Sequence, residues 1–211
     1  FINKNTSTIP TAAEKLIIEN LGYAGKRLMG FCRTNLFKRL ESSGYSFLLS
    51  LSRHVLRNYI FIYAIENNLP LPIGRNFSEN LDDFIDDDDI DNGIDENQFK
   101  LNILITEDDY KSTAKEIYDK FSNAVYKDKF DWIRKDFFDN KILRLLKNDS
   151  KLILAIIKLG ADWTPINDRK LNALYKLLNK KHKDEKAIVF TQFADTAYYI
   201  TNELKSRGLT K

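Results

Sequence analysis

The chain has 211 residues, 43% of them apolar and 30% charged, which suits one large or two small domains with a buried core. No apolar run approaches the ~20 residues of a membrane span, so no membrane partner is expected. The single cysteine, Cys32, excludes an internal disulfide, fits a reducing cytoplasm and is expected to be a small buried apolar residue.

Net charge is +3, but it is unevenly spread. Residues 79–96 hold ten acidic side chains and no basic one, so the rest of the chain carries +13. A basic body with a detachable acidic segment is the balance of a nucleic-acid binder; an ordinary lysine-rich surface has the same composition.

The chain opens on FINKNTSTIP, with neither an initiator methionine nor a signal-peptide pattern, an abruptness that suggests a piece of a longer protein. These residues predict an extended lead-in ended by Pro10. Thr11 with Glu14 three residues later predicts a capping box and a helix, which Gly22, Gly25 and Gly30 should weaken. Residues 33–67 read as two helices broken near Ser42, Ser43 and Gly44. On the first, Leu28, Met29, Cys32, Leu36 and Leu40 share an apolar arc, with Lys26, Arg27, Arg33 and Lys38 outside it. Arg39 projects into that arc and must pair with a carboxylate or a bound anion, because an unpaired buried charge is too costly. On the second helix Leu48, Leu51, Val55, Tyr59 and Ile62 form a stripe opposite Arg53 and Arg57. Its end, apolar almost all round, should be buried from several sides.

Pro70 and Pro72 predict an extended path. The acidic segment, about 74–105, is expected to be a solvated loop. Its register fails as a calcium loop, since Ile90 and Phe99 fall where oxygen ligands are needed. Thr106 predicts the next N-cap, with Tyr110, Ala114, Ile117, Phe121 and Val125 at helical spacing. A helical period continues through Ile133, Phe137 and Ile142, and a further short helix is expected between a Ser150 cap and Gly160. The turn at 161–165 marks a boundary. Beyond it an amphipathic helix should bury Leu171, Leu174, Tyr175 and Leu178. Residues 187–190, AIVF, predict a strand apolar on both faces, as in a central parallel strand, followed by a helix over 194–206 with Ala197, Ile200 and Leu204 inward. A lone strand lacks partners for its backbone groups, which again points to a larger protein. The fold class is mostly α: a multi-helix bundle with a small α/β element, one parallel-type strand and its flanking helices, at the C-terminal end.

Two stretches, RTNLFKRLESS at 33–43 and KAIVFTQFADTAYYITNELKSRG at 186–208, resemble in order two parts of the bacterial Snf-type helicases of superfamily 2. The first is similar to the helical segment joining the two motor lobes, the second to the opening of the second RecA-like lobe. Asp168 and Lys170 stand where that family starts a helix just before the lobe. The resemblance implies a helical inter-lobe region at 1–164 and the beginning of the second lobe at 165–211. It implies a parent protein that uses ATP and magnesium on nucleic acid, double-stranded DNA above all, with the remaining lobes in the same chain. It also implies that Thr191, Gln192 and Phe193 form a loop along the nucleic-acid track. A helix opening there would present free N–H groups to a phosphate; a plain helix cap at Thr191 and a packed Phe193 are the structural alternative.

The sequence holds no GxxxxGK[ST] loop, no acidic magnesium box, no HExxH and no GxSxG. No catalytic residue, cofactor or metal is therefore assigned within the chain, and His54 and His182 lack partners at ligand spacing. Arg33, Lys38, Arg53 and Arg57 join Thr191, Gln192 and Phe193 as candidate nucleic-acid contacts, with Arg39 reserved for a structural ion pair. Two functions follow: a bracing and nucleic-acid-contacting part of an ATP-dependent helicase or translocase, or a stand-alone helical protein-interaction module without ATPase activity.

Overall fold

The computed structural model describes residues 2–3, 6–74, 103–124 and 126–209, with the side chains of 22–31 and 129 outside that description. The acidic residues 79–96 and Val125 lie outside the described residues, as do the side chains of Lys26, Arg27, Leu28 and Met29.

The architecture is mostly helical with a small two-stranded antiparallel sheet. Helix α1 (Ala12–Ser42) begins on the capping box of Thr11 and Glu14 and continues through its glycines. Helix α2 (Gly44–Glu66) starts one residue after α1 ends. Strand β1 (Leu71–Gly74) follows, then α3 (Glu107–Phe121), capped by Thr106 and carrying three acids in its first turn. Next come strand β2 (Phe130–Ile133), α4 (Lys141–Leu159), α5 (Arg169–Lys176), which continues into a π-helical turn at Leu177–Lys181, and α6 (Ala194–Ser206).

Helix α2 is the hub, packed against α1, α3, α4, α6 and β1. Its stripe of Leu51, Val55, Tyr59 and Ile62 is buried with Tyr110, Ala114 and Ile117 of α3 and Leu154 and Ile157 of α4. Each such side chain contributes roughly 1.5–3 kcal/mol by leaving water. Leu48 lies so close to Gly160 that a Cβ there would meet Leu48 Cδ2 at 2.6 Å. No helix among the described residues is long and apolar enough to cross a membrane.

Five local expectations are corrected. Residues 130–133 are strand rather than helix: Phe130 pairs with Gly74 and Ile133 with Leu71. The aromatic side chains favour a pleated surface, and Phe130 packs on Phe121 at 4.3 Å while Trp132 meets Tyr118 at 5.9 Å. Ile133 and Phe137 are buried as their spacing suggests, but on extended and 3₁₀ backbone. Ser150 is not a cap: it sits in the middle of α4, fully buried. Residues 187–190 form no strand, because nothing among the described residues pairs with them, and Ile188 and Phe190 stand 81% and 90% exposed. Finally, α6 fully buries Thr196 and Tyr199 while Ala197 is exposed and Ile200 and Leu204 are half-buried, and on α1 Leu40 is exposed although Arg39 beside it is buried as expected. The last two share a cause, a polar contact between these helices.

Candidate functional site

The site grows from the corner between α1 and α2. Ser43 takes an extended conformation there, donates its N–H to the Arg39 carbonyl and accepts the Ser46 N–H on its Oγ. One residue thus ends one helix and caps the next, bringing Arg39 and Ser42 beside Ser46 and Arg53. Against this corner lies the segment from Thr191 to Tyr199.

Asp195, in the first turn of α6, is the focus. Arg39 Nη1 donates to its Oδ2 at 2.7 Å, and Arg53 reaches both oxygens, Nη1 to Oδ2 at 2.9 Å and Nη2 to Oδ1 at 3.3 Å. Charge-assisted bonds of this kind are about twice as strong as neutral ones. The Arg39 guanidinium also covers the Phe193 ring, 4.8 Å from its centroid. Beside this cluster runs a hydroxyl ladder: Thr196 shares hydrogen bonds with Ser42 (2.9 Å) and Ser46 (2.8 Å), and the Thr191 hydroxyl lies 3.5 Å from that of Ser42.

A second layer holds α6 from its far side. The Tyr199 hydroxyl donates to Asp168 Oδ2 at 2.9 Å, and the other Asp168 oxygen caps α5 by accepting the Leu171 N–H. Burial, then the Asp168 carboxylate, push the Tyr199 phenol far up, so it stays a donor. Its ring stacks on Tyr45 at 5.3 Å and meets Trp163 at 5.5 Å. Gly44 permits this closeness, since a Cβ there would lie 2.8 Å from Trp163 Nε1. The Lys170 amine reaches the Glu41 carbonyl, tying α5 to the end of α1. An open cavity of about 260 Å³ lies between these parts, bordered by Ser42, Lys170, Thr191, Thr196 and Tyr199.

The candidate residues separate into two groups. Thr191, Phe193, Arg39 and Arg53 come together here, with Phe193 buried and Arg53 turned into the protein. Gln192, Arg33 and Lys38 are exposed, Arg33 with its guanidinium 5.8 Å from the Phe37 ring. Arg57 is half-buried near Cys32, where its charge opposes the burial that pushes the thiol up. Sequence reasoning missed Asp195, Thr196, Ser42 and Ser46. The available signal was polar residues at helical spacing on both partners: Ser46, Ser50 and Arg53 on α2, and Asp195, Thr196 and Tyr199 on α6.

Elsewhere, His54 Nε2 lies 3.1 Å from Asp149 Oδ2, which also accepts from Asn58 at 2.8 Å, and the His54 bond holds the Asp149 carboxyl below its usual range. His182 pairs with Glu185 at 2.8 Å. No group of three or more His, Cys, Asp or Glu among the described residues is arranged to hold a metal ion. Glu41 and Asp168 line the cavity, and Lys170 there is engaged with a carbonyl. No family model, curated protein or solved structure matches the chain.

Proposed function

We propose that this chain is the helical bracing region and the start of the second lobe of a nucleic-acid motor of the Snf helicase type, contributing duplex contacts rather than the ATP site. The observation that carries the reading is the meeting of the two resembling stretches. Residues 33–43 and 186–208 are joined through Arg39 on Asp195 at 2.7 Å and Ser42 on Thr196 at 2.9 Å. A brace and a lobe that work together need such a joint. Beside it, Gln192 and Lys38 remain exposed for nucleic acid.

The test is binding of a labelled DNA duplex over a salt series. Phosphate-led binding weakens with log salt by about 0.9 per neutralised phosphate. Gln192→Ala combined with Lys38→Ala should weaken it severalfold. Failure to bind duplex at low salt would remove this reading. A second reading, a protein-interaction module, is favoured by exposed Ile188 and Phe190, whose unpaired segment suits strand addition by a partner. That module would ignore DNA at every salt concentration.

A further inference from the structure

The attachment of α6 differs in kind from the other helix contacts on α2. Helices α3 and α4 bury mainly aliphatic and aromatic side chains against α2, beside polar contacts at Ser52, His54 and Asn58, whereas the buried residues of α6 are Thr196 and Tyr199. Among the described residues α6 adds nothing to the main apolar cluster. Its hold is an ion-pair cluster, a hydroxyl ladder and stacked rings. An apolar joint resists every aqueous solute alike, but a guanidinium–carboxylate joint yields to an anion that satisfies the same donors. Phosphate is that anion, since the planar fork of arginine accepts phosphate and carboxylate oxygens with one geometry.

We infer that Arg39 and Arg53 form a phosphate seat which Asp195 occupies in the closed form. Phosphate, free or in a nucleic-acid backbone, exchanges with Asp195 and releases α6 from the corner between α1 and α2. The exchange makes and breaks only ion pairs and hydrogen bonds. Asp195 and the hydroxyls of Thr196, Ser42 and Ser46 pass to water, which solvates each of them. The open cavity brings solvent to the ladder through Ser42, Thr191 and Thr196. Only the source of the phosphate rests on the nucleic-acid reading above; the seat itself rests on the geometry of the joint.

Trp163 reports the event, because it packs on Tyr199 of α6 at 5.5 Å. In a Trp132→Phe background, inorganic phosphate is titrated against chloride at matched ionic strength, and a DNA duplex is titrated separately. Phosphate should shift the Trp163 emission to the red in a saturable way that chloride does not reproduce. Asp195→Asn should start with the shifted emission and bind phosphate about tenfold more tightly, having lost its internal competitor. Arg53→Gln should abolish the saturable response. Equal action of phosphate and chloride on the protein with Asp195 intact would overturn the seat, whether or not Asp195→Asn folds. If phosphate opens the joint but duplex does not bind, the seat stands and the nucleic-acid reading falls. If duplex binds and neither ligand moves Trp163, the seat falls and that reading stands.

Discussion

Two faces of α2 solve the packing problem in opposite ways. Toward α3 and α4 it presents Val55, Tyr59 and Ile62, and Tyr59 stacks on Tyr110 at 5.8 Å. Polar contacts accompany that packing: Tyr110 donates to Ser52 at 2.7 Å in the interior, and Asp149 of α4 accepts from Asn58 at 2.8 Å nearer the surface. Toward α6, nearer its N-terminus, α2 presents Ser46 and Arg53, and both are engaged by side chains. The first face gains from expelling water and holds in any buffer. The second exchanges protein–water hydrogen bonds for protein–protein ones, with a small net gain and a dependence on ions. One helix thereby serves as the fixed core of the bundle and as a seat for a separable element.

Substitutions on the two faces sharpen this contrast. The largest effect is expected at Ile157, fully buried on α4: Ile157→Ala should cost about 3 kcal/mol in chemical unfolding and destabilise the whole bundle. Next comes Glu14, buried between Thr11 and Arg134, whose Nη2 lies 2.7 Å from the carboxylate. Glu14→Gln should cost about 2 kcal/mol through the lost ion pair and weakened capping box. The Arg134 bonds hold the Glu14 carboxyl at about 2, from an ordinary 4.5. The unfolded chain therefore binds this proton more readily than the folded one. The stabilisation is complete above about 4.5 and disappears as pH falls toward 2. An acid titration of stability should show that loss, and Glu14→Gln should lack it.

Smaller effects belong to the polar face. Gly44→Ala gains helix propensity but pushes on Trp163, so a net loss of about 1 kcal/mol is expected, with altered Trp163 fluorescence. Asp195→Asn should move the global unfolding midpoint least, because the Arg39 and Arg53 guanidiniums it leaves behind regain water when α6 opens locally. A global loss as large as that of Ile157→Ala would break the comparison.

The same contrast explains what could be read from the sequence. Thr11 with Glu14, and Thr106, are legible because a cap is a local event, decided within four residues. The stripe from Leu48 to Ile62 is legible because helical periodicity is a property of one segment. Pairing across the chain is not. Residues 130–133 fit a helical period as well as an alternating one, and only Leu71 and Gly74 as ladder partners decide between them. Arg39 announced that it needed a carboxylate, but Asp195 lies 156 residues away. On α6 apolarity marks only the half-buried Ile200 and Leu204; the fully buried positions are Thr196 and Tyr199, against hydroxyls and a carboxylate, and nothing in one segment announces them.

The most direct test of the two-faced account is amide hydrogen exchange across the chain, in chloride and in phosphate at equal ionic strength. The account predicts that residues 194–206 exchange well before residues 48–64, and that phosphate accelerates the first segment while leaving the second unchanged. Exchange of both segments at one common rate, indifferent to phosphate, would contradict it and make α6 as integral to the bundle as α3 and α4.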